Sequence, residues 1–460
     1  MPNSLAYLVL ALSPLIILVI FRSMPPGRAL IVSLLGAYLF LPPQPTAFDP
    51  PLLPPMNKES LPNLTVLVLC LALYRDRIEL LPKSRAARVL LAIFIFSPLG
   101  TTITNLEPVF FGRIGLPGMG IKDMVSTIFR QVSVIAPFLL ARNLLSTAED
   151  QRDLLVAFVV GGLVYSVPML LEVRLSPQIN IWVYGFFQHS FEQMIREGGF
   201  RPIVFLYHGL WAAFFIMVCT AAAAILFRAE KGRPSAYAMV ATVYLFAVLV
   251  LCKSLASLMY AMLLVPLVVF LPRRVQLWVA MGLTVLTLSY PMLKAVGAIP
   301  ERQILAQAEK ISADRAGSLR YRLENENVLL DRAMEKPLFG WGSWNRNQIL
   351  DPVTGISTTV SDGFWVIALG MFGWVGWFGL FGLLLLPVVL LWRKLHGAVL
   401  RHASPYVTGM SLLLALNVFD MLPNATLTPL TWLWVGALLG YAERDDIYVR
   451  KRKAQLKSVM

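Results

Sequence analysis

The sequence predicts an all-α fold, a polytopic membrane helix bundle with one large external loop of short helices between late spans. Three observations lead there. The 460-residue chain is 57% hydrophobic and only 14% charged, where a soluble protein carries about a quarter charged residues. Its mean hydropathy is +0.68. Apolar runs long enough to cross a bilayer core as helices recur from end to end. The runs lack the alternation of barrel strands, which leaves helices as the way to pair backbone groups in lipid.

Taken in order, the runs give about thirteen spans, near 5–21, 28–41, 61–74, 88–104, 123–141, 153–171, 203–227, 235–251, 255–271, 275–293, 363–391, 405–421 and 427–442. The first lacks a basic n-region and an obvious small-residue cleavage site, so it is expected to stay as a membrane helix. The Pro-rich "LPPQPTAFDPPLLPP" (41–55) reads as a stiff polyproline-like cover. The chain thus divides into a first bundle (1–297), a large loop (298–362), a last bundle (363–442) and a basic tail (443–460). In the loop, Pro300 suits a first helical turn and Gly317 is expected to separate two short helices. In the second of these, Leu319, Leu323, Leu330 and Met334 share one face, and Arg322, Glu326 and Leu329 another. Pro337, Gly340 and Gly342 then end the helix in a tight turn.

The formal net charge is +14. No basic patch with interleaved aromatics sits in a soluble module, which argues against nucleic acid. Basic residues instead orient the helices. The tail holds Arg444, Arg450, Lys451, Arg452, Lys453 and Lys457 and is expected in the cytoplasm. Counting spans backwards puts "RDRIELLPKSRAAR" (75–88), "RAEKGR" (228–233), "RR" (273–274) and "RKLHGAVLRH" (393–402) on the same side. The large loop then lies outside, although it and its edge carry Lys294, Arg302, Lys310, Arg315, Arg320, Arg322, Arg332, Lys336 and Arg346. Cations kept there against the usual bias suggest an anionic ligand. Cys70, Cys219 and Cys252 form no CxxC pair, and the four histidines lack metal-ligand spacing.

Isolated polar groups near bilayer depth are the informative positions, because each is costly in lipid. Arg201 and His208 are seven residues apart at the start of a long run, which would place them on one helical face. Lys253 sits at a hairpin end, and Asp420 closes a span. Asp123 and Arg130 read as an internal structural pair. Each has a plainer reading: Arg201 snorkelling to headgroups, His208 packed at the interface, Asp420 capping a helix end. Arg201, Lys253 and loop arginines facing one side would suit a diphosphate, since guanidinium forks grip phosphate oxygens.

Across "SLRYRLENENVLLDRAMEKPLFGWGSWNRN" and "VSDGFWVIALGMFGWVGWFGLF", the chain resembles the O-antigen ligase/polymerase superfamily of bacterial membrane glycosyltransferases. The shared features are an Arg-bearing helix (Arg322), a P-x-x-G-x-G turn (Pro337, Gly340, Gly342), an acidic or His residue before an aromatic (Asp362, Trp365) and a G-x-x-G (Gly373, Gly376). The segment "FRPIVFLYHG" is similar to the family's Arg-Pro segment, and "FDMLPNATLTP" fits its end, with Asp420 and Asn424. The resemblance covers about residues 195–225 and 315–430.

It implies a C-type glycosyltransferase fold acting at the periplasmic face of the bacterial inner membrane, on a glycan linked to undecaprenyl diphosphate. Arg201, Lys253, Arg320 and Arg322 would hold the diphosphate, and Asp362 would act as base, with Arg201 and Arg322 stabilising the leaving group. No metal or cofactor is implied, because fixed cations take the developing charge. His208, Asp420 and Glu326 are further candidates. Trp341, Trp344, Asn345, Arg346 and Trp365 would contact sugars, or the tryptophans would anchor the interface. Ligases typically carry histidine where this chain has Asp362, so the resemblance favours a polymerase over a ligase. Membrane lipids, and a flippase and a chain-length regulator of the same pathway, are the implied partners. A lipid or polysaccharide transporter is the reading from another class. It would call for midplane charges and broken helices in related halves.

Overall fold

The computed structural model describes residues 1–50, 53–196, 198–311 and 313–444. Its elements are α1 (Ser4–Ser23), α2 (Pro26–Phe40), α3 (Ser60–Leu73), α4 (Arg85–Ile103), α5 (Ile121–Leu144), α6 (Ala148–Leu175) and the short α7 (Ile179–Tyr184). After them come α8 (Gly209–Ala229), α9 (Arg233–Leu251), α10 (Leu255–Phe270), α11 (Arg273–Ala295), and the loop helices α12 (Glu301–Ile311) and α13 (Ala313–Met334). The chain closes with α14 (Phe364–Lys394), the short α15 (Gly397–His402), α16 (Val407–Asp420) and α17 (Pro429–Ala442). Among the described residues, sheet is confined to two small hairpins, Val109–Phe111 with Ile114–Leu116 and Ile195–Arg196 with Gly199–Phe200. The all-α expectation holds. Among the described residues, eight helices are long and apolar enough to cross a membrane, and five shorter apolar helices match the remaining expected spans.

Helix α8 is apolar all round and buried nearly all round, which makes it the central post of the bundle. It packs against α6, α9 and α10, while α17 lies on α5 and α14 on α4. Gly436 and Gly440 let α17 approach α5 closely, since a Cβ at either would meet the backbone of Phe138 or Arg142. The helices alternate in direction. One end of the bundle therefore gathers the long connections 41–59, 104–120, 176–208 and 296–363. The other end holds the short basic ones, where Arg142 and Glu443 form a buried ion pair at 3.0 Å.

Two sequence expectations need correction. The span placed at 203–227 starts only at Gly209, so Arg201 and His208 do not share a helix face; residues 201–208 are an irregular segment, buried as far as Leu206. Four side chains replace the missing helical partners. Glu172 accepts from the amides of Ile203 and Val204 at 2.8 Å each, and Tyr165 accepts from that of Phe205 at 3.0 Å. Lys58 donates to the Phe205 carbonyl at 2.8 Å, and Gln188 to that of Val204 at 2.7 Å. Gly317 lies inside α13, whereas the loop helices divide between Ile311 and Ala313. The tail cations from Arg450 onward and the Arg315 side chain lie outside the described residues.

Helix α14 is broken at Gly373, whose φ is 62°. The turn after α13 fills the break. The amides of Trp341 and Gly342 donate to the carbonyls of Gly370 (2.8 Å) and Met371 (2.9 Å), and those of Trp374 and Val375 to Pro337 (2.7 Å) and Leu338 (3.1 Å). Backbone polarity exposed by a break within a spanning helix is costly unless protein satisfies it, and these four bonds do so. The Pro337–Gly340–Gly342 turn is thus a plug in the bundle.

Candidate active site

Asp362 lies two residues before α14, and Arg322 reaches it from α13. Their side chains form an ion pair, Arg322 Nε to Asp362 Oδ2, at 3.2 Å, each more than a third exposed. Such a pair contributes about 0–1 kcal/mol and opens readily to a competing anion. Arg322 and Asp362 line a polar cleft of ≈ 290 Å³ with Arg196, Arg201, His208 and Asn424. The cleft continues into a pocket of ≈ 160 Å³ that shares Arg201, Arg322 and Asn424. On the other side of the pair lies an apolar slot of ≈ 320 Å³, walled by Leu286, Leu319, Leu323, Val366, Phe419 and Leu422. The pair therefore stands where an arginine-rich cleft meets a greasy slot.

His208 caps α8, its Nδ1 accepting from the Leu210 amide at 2.8 Å. The proton of the neutral ring must then sit on Nε2, which faces Gln193 Oε1 at 3.4 Å. Burial, with His189 and the cations Arg201, Arg322 and Arg196 nearby, pushes its pKa down to about 3. His208 is thus a neutral hydrogen-bond donor in the cleft and not a proton acceptor.

The other sequence candidates divide. Arg201 lines the cleft and donates to the Lys253 carbonyl at 3.0 Å. Lys253 turns its ammonium to the Arg196 carbonyl at 2.9 Å, so it secures the 195–200 hairpin that carries Arg196. Arg320 pairs with Glu309 at 2.5 Å and is not among the residues lining the cleft. Glu326 is committed to Lys294 at 3.2 Å and to the Tyr290 hydroxyl at 2.7 Å. Asp420 spends both oxygens on Asn424 (2.8 Å) and Thr426 (2.9 Å), shaping the cleft floor.

Three expected sugar contacts are corrected. Trp365 is fully buried, its indole 3.3 Å from Glu326. Trp341 is buried with Arg332 stacked on its ring at 3.4 Å from the centroid. Arg346 is 1% exposed and donates to the carbonyls of Trp341, Pro117 and Glu107 at 3.2, 2.6 and 3.0 Å. Trp344 and Asn345 instead face a separate cavity beside α5. Asp123 and Arg130 form no ion pair among the described residues. Asp123 caps α5 through the Gly120 amide at 2.8 Å.

Sequence reading missed Arg196 and Gln193, which a small hairpin and its approach bring to the cleft, and His189, which packs against His208. It also missed Glu172 and Lys58 as supports, though a charge in or beside an apolar run was the available signal. Compared with known proteins, the chain matches no family model and no curated protein.

Proposed function

We propose that this protein is a bacterial inner-membrane glycosyltransferase of the polysaccharide-polymerase kind. It transfers a glycan from polyprenyl diphosphate to a hydroxyl of another lipid-linked glycan. The observation that carries the reading is the Arg322–Asp362 pair between an arginine-rich cleft and an apolar slot. A lipid diphosphate has the same division: an anionic head for Arg196, Arg201 and Arg322, and an isoprenoid for the slot. The resemblance of the 315–430 region to the O-antigen ligase/polymerase superfamily supports it.

In this mechanism the diphosphate draws Arg322 from Asp362 and leaves that carboxylate to accept the acceptor hydroxyl's proton. The acceptor oxygen bonds to the anomeric carbon as the bond from that carbon to the phosphate oxygen breaks. The electron pair leaves on the diphosphate, where the arginines stabilise it. Attack opposite the leaving group inverts the centre. His208, with Nε2–H in the cleft, orients an oxygen of either substrate. A ligase differs only in its acceptor, and the Asp at 362 favours polymerisation. A transporter's broken helices present their open ends to substrate, whereas the break in α14 is filled by residues 337–342.

The test is polymer formation by reconstituted Asp362→Asn and Arg322→Gln proteins. Each is expected to lose about a hundredfold or more in rate with unchanged yield of inserted protein. Full polymerisation by both variants would overturn the assignment.

A further inference from the structure

A second cavity, of ≈ 770 Å³, opens at the end of the bundle that carries the long connections. It shares no lining residue with the Arg322–Asp362 cleft. One wall is α5, which turns Lys122, Ser126, Arg130 and Ser133 to it. Their spacing of three and four puts them on one polar face of the helix, and Asp123 and Thr127 beside them line the same cavity. Arg130 is the informative member, about 14 Å along the axis from Ile121. Its side chain forms no hydrogen bond or ion pair with another described residue, and Asp123 is engaged as a cap. A guanidinium at that depth is retained where it meets a polar cavity or an anion.

The facing wall supplies amides and one carboxylate, that of Glu59. Asn57 and Asn63 flank the start of α3, and Asn345 comes from the turn after α13. The Asn63 side-chain oxygen is buried without a hydrogen-bond partner. Trp344 stands on the rim, exposed, with φ at +63°. Left-handed backbone is unfavourable for an aromatic residue, and the Arg346 network beneath holds it there. Its neighbour Trp341 is buried, so the turn hides one indole and presents the other.

We propose that this cavity binds an anionic oligosaccharide. Arg130 and Lys122 take a carboxylate or phosphate borne on a sugar, the asparagines take hydroxyls, and Trp344 stacks on a pyranose face. A lipid headgroup shares the anion but offers no ring face to the indole. The site goes beyond the transferase reading and does not depend on it, because it is a binding site apart from the cleft.

Calorimetry on the full-length protein in phosphatidylcholine nanodiscs tests it. The probes are a glucuronate-containing tetrasaccharide and a neutral glucose tetrasaccharide. The acidic probe is expected to bind about tenfold or more tighter than the neutral one, and Arg130→Gln and Trp344→Gly each to weaken it about tenfold. Glycine suits the left-handed turn, so Trp344→Gly removes the ring and keeps the backbone. Arg322→Gln should leave this binding unchanged. Equal binding of the two probes, no effect of either variant, or equal weakening by Arg322→Gln would overturn the proposal. So would displacement of the probe by glycerol phosphate at equal affinity, which would assign the site to a lipid headgroup.

Discussion

At the residue scale, the site rests on a weak pair and a silent histidine. Arg322 and Asp362 are exposed enough that their attraction is largely screened, so a competing anion can take Arg322 over. Arg322→Lys keeps the charge but loses the fork, and is expected to retain partial activity where Arg322→Gln retains almost none. His208 carries its own signature. Its folded pKa, about 3, lies below the ordinary 6.5. The unfolded chain therefore binds more protons between those values, and stability falls as pH drops through that window. His208→Asn keeps an N-cap acceptor and removes the titration. Its melting temperature should fall less than the wild type's between about pH 7 and about pH 5. An equal fall would show that His208 is not buried as a neutral ring.

At the element scale, the join between α14 and the turn after α13 organises the loop. A Cβ at Gly373 would lie 2.3 Å from the Leu338 carbonyl carbon, and one at Gly340 would lie 2.6 Å from the Gly373 amide nitrogen. Both residues also have positive φ. Gly373→Ala and Gly340→Ala should each cost about 3 kcal/mol or more, read as lower folded yield in detergent and earlier thermal unfolding. Wild-type stability in both would contradict the plugged break. This join also shows what sequence reading cannot reach. Hydropathy and helical period are local, and they located the apolar helices, with the start of α8 misplaced by several residues. Whether a polar, glycine-rich turn covers a cavity or fills a helix break depends on a partner about thirty residues later. Likewise a tryptophan among amides reads the same buried or exposed, so Trp341 and Trp365 were not separable from Trp344. Arg322 and Asp362 were legible as a pair of candidates, whereas Arg196 needed the hairpin fold to bring it in.

At the scale of the whole molecule, the long connections and the candidate site gather at one end and the short basic loops at the other. On the proposed function, the charge bias would set the site outside the cytoplasm. The three native cysteines are buried, so single new ones report topology. Ser318→Cys in α13 should react with an impermeant maleimide in intact cells, and His402→Cys only after lysis. The reverse pattern would invert the bundle. The most direct test of the central claim follows wild-type protein in liposomes given a polyprenyl-diphosphate-linked oligosaccharide as the only sugar. Glycosyl transfer is expected to lengthen the lipid-linked glycan by whole units, releasing one polyprenyl diphosphate per unit added. A donor left unchanged, or one moved across the bilayer without being consumed, would contradict it.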